Sequence, residues 1–252
     1  MRKMDYEKTI YDIQQWIKDY YISAKVDGII VGVSGGIDSA VTSALCANAV
    51  GKDKIIGLGL PCLSIPQDLT DAKMITDTLE INFISFDLSS VFNEYLKITS
   101  SQISSTSMAQ VNLKARLRMI SYYFIGQSMG KYLVGGTGNR TELAIGYFTK
   151  YGDGGVDFEP IGSLYKCEVR EIAKLLEIPE RIINKPPSAG LWEGQTDEGE
   201  IGMTYDLLDE ILYRIDYNLD LAGLNGDDIE KVKNLMESAR HKLHMPPIYK
   251  VE

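Results

Sequence analysis

The segment Gly28-Ile-Ile-Val-Gly-Val-Ser-Gly-Gly-Ile-Asp-Ser39 constrains this chain more than any other. Its first six residues are glycine or β-branched with no polar position, which predicts a strand over 28–33 buried on both faces, as in parallel sheets. A helix pattern over 40–50 follows, so its amino end points back at the turn 34–39. Adjacent Gly35 and Gly36 let the backbone adopt positive φ and approach a bound group closely. Ser34 and Ser39 offer hydroxyls, and a helix amino end favours an anion by ~0.3–1 kcal/mol. Asp38 repels a phosphate unless a Mg²⁺ ion lies between them. The turn lacks the Gly-Lys-Ser/Thr ending of a Walker A loop and is not GxGxxG. A plain strand–turn–helix corner accounts for a lone Gly-Gly pair, but poorly for this whole string in this place.

The rest of the chain continues the alternation. Apolar spacing predicts helices over 5–21 (Ile10, Ile13, Ile17), 67–79, 91–98 and 109–129, and strands over 55–60, 82–86 and 131–135. This order predicts an α/β fold: a doubly wound, Rossmann-like, mainly parallel sheet flanked by helices, with a helical C-terminal part. Ligands in such sheets sit beyond the carboxyl ends of the strands. The turn 34–39 and the stretch after residue 135 both fall there. Residues 135–163 are glycine-rich and strand-poor and read as one long functional loop. Then come a helix over about 165–177 capped by Ser163, a mobile loop over 184–203 and a helix over 204–217. Asp227 and Glu230 form a capping-box-like start for a last helix ending near Leu243.

At 252 residues the chain suits one domain, and no repeat or internal boundary is visible. A net charge of −9 and a pI near 4.9 oppose broad nucleic-acid binding. They leave room for a small anion gripped by amides and a few lysines. Three scattered cysteines, Cys46, Cys62 and Cys167, form neither a disulfide framework nor a zinc motif and suit a reducing cytoplasm. Each reads as a small core residue. Only His241 and His244 are histidines, too few for a His-rich metal centre. The amino end lacks the pattern of a secretory signal, and no apolar run approaches the ~20 residues of a membrane span.

The 135–166 stretch concentrates a hydroxyl (Thr137), carboxylates (Glu142, Asp153, Asp157) and lysines (Lys150, Lys166). Arg140 and Glu159 read as solvated charges. Ser34-Gly-Gly-Ile-Asp-Ser39 resembles the signature of the N-type ATP pyrophosphatases, the PP-loop enzymes. That resemblance implies cleavage of ATP between its α- and β-phosphates and adenylation of an acceptor. Phe148-Thr-Lys-Tyr-Gly-Asp-Gly-Gly-Val-Asp157 closely resembles the NAD synthetases. So do Asn112-Leu-Lys-Ala-Arg-Leu-Arg-Met119, Lys185-Pro-Pro-Ser-Ala-Gly-Leu191, Gly194-Gln-Thr-Asp-Glu198 and His241-Lys242. The likeness runs from about residue 6 to 247.

The resemblance implies ATP-dependent amidation of deamido-NAD⁺ with ammonia, through an adenylated dinucleotide, by a single unit over 1–252 with no glutaminase domain. It implies that Gly32, Val33, Ser34, Gly35, Gly36, Ile37, Asp38 and Ser39 hold the ATP phosphates. Thr137, Lys166 and Ser188 also contact ATP, and Asp38 and Glu142 ligate Mg²⁺. Arg116, Lys150, Asp157, His241 and Lys242 bind deamido-NAD⁺. Asp153 lies in the ammonia pocket, so the catalytic set is Asp38, Asp153 and Lys166. It also implies a homodimer with the dinucleotide site at the subunit junction. Leu113, Leu117, Ile120 and Phe124 on the 109–129 helix serve either that face or the core.

Two departures from the family pattern stand out. Ser188 replaces a common Thr and keeps the hydroxyl. Gly138-Asn139 replaces a common Asp-His, so no role is transferred to those two. On the adenine side Ser64 and Gln67 are candidates. The competing readings are another PP-loop amidotransferase or synthetase and a non-catalytic adenine-nucleotide sensor. The sensor has no need of Asp38, Glu142, Lys150, Asp153 and Lys166 together, and a tRNA substrate is opposed by the acidic charge.

Overall fold

The computed structural model describes residues 2–188 and 196–251. Strands β1 (Gly28–Gly32), β2 (Ile55–Gly59), β3 (Asn82–Ser85) and β4 (Tyr132–Gly135) form one sheet in the order β3-β2-β1-β4, with every pair parallel. Ile30 stands opposite Ile56 on one side and Val134 on the other. The chain builds outward from β1 to β3 and then returns to place β4 on the far side of β1. The order therefore reverses beside β1, which opens a crevice at its carboxyl end.

Side chains alternate across the sheet, so both faces of the apolar β1 run are used. Ile29 and Val31 pack with Ile17 of α1 (Tyr6–Ala24), Val41 and Leu45 of α2 (Ile37–Val50) and Ile75 of α3 (Pro66–Thr78). Val169 and Ile172 of α7 (Lys166–Leu175) complete that layer. Ile30, Ile56 and Leu58 face the other way, onto Tyr122 and Ile125 of α5 (Ser107–Met129). Ile29, Leu45 and Ile172 are fully buried, and burial of each contributes about 1.5–3 kcal/mol. The helix α4 (Ser89–Ser100) packs beside α5. A third apolar cluster joins α6 (Arg140–Ile145), α10 (Tyr205–Asp216) and α11 (Gly226–Leu243) through Ile145, Leu208, Ile211 and Val232.

The structure corrects several expectations. The stretch 135–163 is not one loop. It holds α6, which the Asn139 side chain caps by accepting from the Glu142 backbone, and which Gly146 ends at φ +70°. Ser163 does not cap α7: the Tyr165 N–H donates to the Glu168 carboxylate, and the Ser163 carbonyl is taken by Arg2. The helix α11 is capped by Asn225, not by Asp227 with Glu230. The expected loop 184–203 contains α9 (Asp197–Ile201), which Thr196 caps, while 189–195 lie outside the described residues. The short α8 (Glu180–Ile183) precedes that region. Arg140 is no solvated charge, because its guanidinium forks onto Asp216 at 2.9 and 2.5 Å. Among the described residues no helix is long and apolar enough to cross a membrane. The three cysteines are unpaired, with Cys46 and Cys62 buried.

Candidate active site

A cavity of about 680 Å³ opens where β1 and β2 end. The turn 34–39 forms its floor. Gly35 has φ +83°, and a Cβ there would lie 2.5 Å from the Asp68 carbonyl oxygen, so the turn requires glycine. Ser39 Oγ donates to the Gly36 carbonyl at 2.9 Å, and the Ser34 and Gly36 amides reach serine hydroxyls at 3.3 Å. No side chain caps the amino end of α2. Its amides therefore remain directed at the cavity floor, an arrangement that binds anions.

Lys166, 2% exposed, opens α7, and its ammonium lies between two carboxylates. Nζ is 2.5 Å from Asp38 Oδ2 at the start of α2 and 3.0 Å from Glu142 Oε1 in α6. Burial lowers the Lys166 pKa, but the charges of Asp38 and Glu142 outweigh it and leave the group raised. Burial pushes the Glu142 carboxyl up to about 7 against the pull of Lys166. Asn139 joins the two acids. Its Nδ2 donates to Asp38 Oδ1 at 2.9 Å, while its Oδ1 accepts from the Glu142 N–H at 3.0 Å. The Tyr205 hydroxyl bridges Glu142 Oε1 (3.3 Å) and Asp197 Oδ2 (3.1 Å), and its ring centroid lies 5.0 Å from Lys166 Nζ.

Asp38 and Glu142 thus converge on one cation from two helix starts. Among the described residues no set of three or more His, Cys, Asp or Glu side chains could hold a metal. Two hard carboxylates beside a phosphate-sized space fit Mg²⁺, which takes one or two carboxylates and completes its shell with water and phosphate oxygens.

The remaining predicted residues divide into two groups. Thr137, Ser188, Asp153 and Lys242 line the cavity with the turn residues other than Gly35. Asp153 Oδ1 also accepts from the Thr149 N–H at 3.0 Å. Lys242 Nζ donates to the Gly146 and Phe148 carbonyls at 2.6 and 2.7 Å, and burial lowers its pKa. Arg116, Lys150, Asp157 and His241 do not line this cavity. Three of them are linked to one another instead: Arg116 donates to the Lys150 carbonyl at 3.3 Å, and Lys150 Nζ donates to the His241 carbonyl. The Asp157 carboxylate accepts from the Val134 N–H (2.7 Å) and the Tyr123 hydroxyl (3.0 Å), which ties β4 to α5.

Other residues escaped the sequence reading. Arg118 donates to the Leu60 carbonyl and to Ser64 Oγ, placing Ser64 on the wall beside Leu60, Leu69, Met108 and Val111. Gln67 instead donates to Asp71 at 2.9 Å and does not line the cavity. Lys185 Nζ bridges Asp68 (2.9 Å) and Asp71 (2.8 Å) and reaches the Gly35 carbonyl at 3.3 Å. Glu159, read as solvated, accepts from the Gly138 N–H at 3.0 Å, and burial pushes its carboxyl up to about 8. Arg118 and Lys185 fall inside the motifs quoted above, and Asn139 carries a local signal of its own, the Asn139-x-x-Glu142 capping pattern.

Comparison with known proteins bears on this arrangement. The NAD synthase family model matches residues 9–246. The NH(3)-dependent NAD(+) synthetase of Methanosarcina acetivorans is 41% identical over 253 aligned positions, covering 97% of this chain and 98% of that one. The protein of the same name from Finegoldia magna is 46% identical over 209 positions, covering 83% and 85%. An NMN synthetase structure from Francisella tularensis superposes with a TM-score of 0.90 at 31% identity over 99% of this chain and 100% of that one. The NH3-dependent NAD synthetase structure from Campylobacter jejuni gives 0.84 at 30% identity over 98% and 100%.

Proposed function

Since the chain belongs to the NAD synthase family, we propose that its cavity joins ammonia to the nicotinate carboxylate of deamido-NAD⁺ at the expense of ATP, giving NAD⁺, AMP and diphosphate. The observation that carries this reading is the meeting of an anion-binding turn with Asp38, Lys166 and Glu142 in one cavity that also reaches Asp153.

A carboxylate is a poor acylating agent until its oxygen becomes part of a good leaving group. The nicotinate oxygen attacks the α-phosphorus, the bond to the β-bridging oxygen breaks, and diphosphate departs. The turn 34–39 and the amino end of α2 bind that diphosphate. The apolar wall of Leu60, Leu69, Met108 and Val111, with Ser64, receives the adenine. Asp38 and Glu142 would hold Mg²⁺, which would supply charge that offsets the triphosphate. Lys166 keeps a positive centre beside both acids, where negative charge gathers as the α-phosphate reacts. Ammonia then attacks the acyl carbon, the bond to AMP breaks, and Asp153 takes the proton that ammonium must lose.

The working unit is a homodimer. Arg116, Ile120 and Phe124 follow one another at four-residue spacing along α5, and Ile120 and Phe124 are 57% and 71% exposed. Val91 and Ile98 of α4 are exposed as well. A second subunit on that face would bring Arg116 to a junction, in keeping with a dinucleotide site completed by two chains. Unpaired buried thiols at Cys46 and Cys62 favour the reducing cytoplasm.

The test is diphosphate release from ATP and Mg²⁺. It should require both deamido-NAD⁺ and ammonium. Equal release with the corresponding mononucleotide would move the acceptor towards that of the Francisella tularensis protein. Release with unrelated carboxylates, or none, would favour another PP-loop synthetase or a nucleotide sensor.

A further inference from the structure

The first amides of any helix lack partners within the helix. In α7 those amides belong to Lys166 and Cys167, and no cap side chain bonds them. Their partners come from elsewhere in the chain. The Lys166 N–H donates to Thr141 Oγ1 at 3.0 Å, and the Cys167 N–H donates to Asp209 Oδ2 at 2.8 Å. The Thr141 hydroxyl in turn donates to Asp209 Oδ1 at 2.5 Å. Thr141 and Asp209 are 0% and 1% exposed, so the bonds form away from water.

Asp209 lies inside α10, and Thr141 lies in α6 immediately before Glu142. One buried carboxylate therefore fastens the first turn of α7 to the first turn of α6. Those two turns carry Lys166 and Glu142, whose side chains meet at 3.0 Å. A carboxylate at a helix amino end is also favoured by the helix dipole. Asp209 does not line the cavity. We infer that Asp209, acting through Thr141, is a positioning residue that sets the placement of Lys166 against Glu142. This rests on the reaction proposed above and adds to it a part played by the helical C-terminal half. Hydrophobic packing alone would hold α10 against α7 without bonding the Lys166 and Cys167 amides.

The experiment compares Asp209→Asn, Thr141→Val and Thr141→Ser, with Asn225→Ala as a distant helix-cap control. Steady-state turnover, melting temperature and calorimetric affinity for ATP with Mg²⁺ are read for each. A misplacement near 1 Å at a reacting group costs about 100-fold, so D209N and T141V should lose roughly 10- to 100-fold in kcat. Their KM for deamido-NAD⁺ should stay within about 3-fold, and their affinity for ATP with Mg²⁺ should fall. T141S keeps the hydroxyl bridge and should recover most of the loss. N225A should lower the melting temperature with kcat unchanged. If D209N does not fold, T141V against T141S decides. The inference is overturned if T141V matches T141S in kcat and ATP affinity, or if activity in every variant simply tracks the folded fraction. A wild-type chain that binds ATP yet amidates nothing sinks the assigned reaction instead, and the ATP affinities then decide the inference.

Discussion

Replacing Lys166 by Met tests the electrostatic centre of the site. The ammonium is the cation between Asp38 and Glu142, at 2.5 and 3.0 Å, in a side chain only 2% exposed. Removing one partner of a buried ion pair costs about 3–5 kcal/mol, because the remaining charge is left without compensation. The two carboxylates are 18% and 16% exposed, so some solvent reaches them and the lower end, about 3 kcal/mol, is expected. For a domain of this size that is roughly 6–12 °C in melting temperature. The loss should depend on pH. The Glu142 carboxyl already stands at about 7 with Lys166 present, and without the ammonium it moves higher. An acid with a raised folded pKa holds its proton in the native state after the unfolded chain has released it. Stability then falls as pH rises through that window. The deficit of K166M should accordingly be small near about pH 5.5 and large near about pH 8, and added Mg²⁺ should restore part of it. Turnover should fall about 100- to 1000-fold, as for loss of a transition-state charge partner. Urea unfolding followed by circular dichroism at both pH values, with and without Mg²⁺, measures the effect. Equal stability of variant and wild type near about pH 8 would refute the idea that Lys166 neutralises this acid pair.

Three further outcomes follow from the same geometry. Asn139→Ala removes both the Asp38 bond and the cap of α6, so it should cost about 1 kcal/mol of stability and weaken ATP binding with Mg²⁺, read by calorimetry. Glu159→Gln keeps an acceptor for the Gly138 amide but cannot ionise. Since the wild-type carboxyl is raised to about 8, E159Q should gain stability over wild type as pH rises from about 5 to about 8, and a constant gap would count against a neutral Glu159. Gly35→Ala combines positive φ with a Cβ 2.5 Å from the Asp68 carbonyl, so about 1–3 kcal/mol of strain should appear as a raised KM for ATP, and an unchanged KM would show that the turn tolerates a side chain.

What could be read in the chain beforehand was whatever a short window encodes. The run through Ile29, Ile30 and Val31 has to serve two sheet faces, so it contains no polar residue, and that absence is visible without any structure. The turn at Gly35 and Gly36 is legible for a similar reason, since its backbone excludes side chains. Helix α6 was not, because six residues are too few to display an apolar period, although Asn139-x-x-Glu142 marks its start. The cap of α7 lies at Tyr165 with Glu168 rather than at Ser163 because the helix begins only at Lys166, and the Ser163 carbonyl instead accepts from Arg2, far away in sequence. The site's charge balance is less local still. Asp38 meets Lys166 across 128 positions, and Lys185 meets Asp71 across 114. No periodicity records such pairs, since they depend on which helix ends the sheet brings together. Family motifs name several of the charged groups but say nothing of their partners. Thus Asp157, which the motif groups with the dinucleotide, also has its carboxylate bonded to β4 and α5, and Asn139, to which no role was transferred, holds Asp38 against Glu142. A carboxylate's role is set by the donors that reach it, and here those donors arrive from elements that sequence distance separates and strand order reunites.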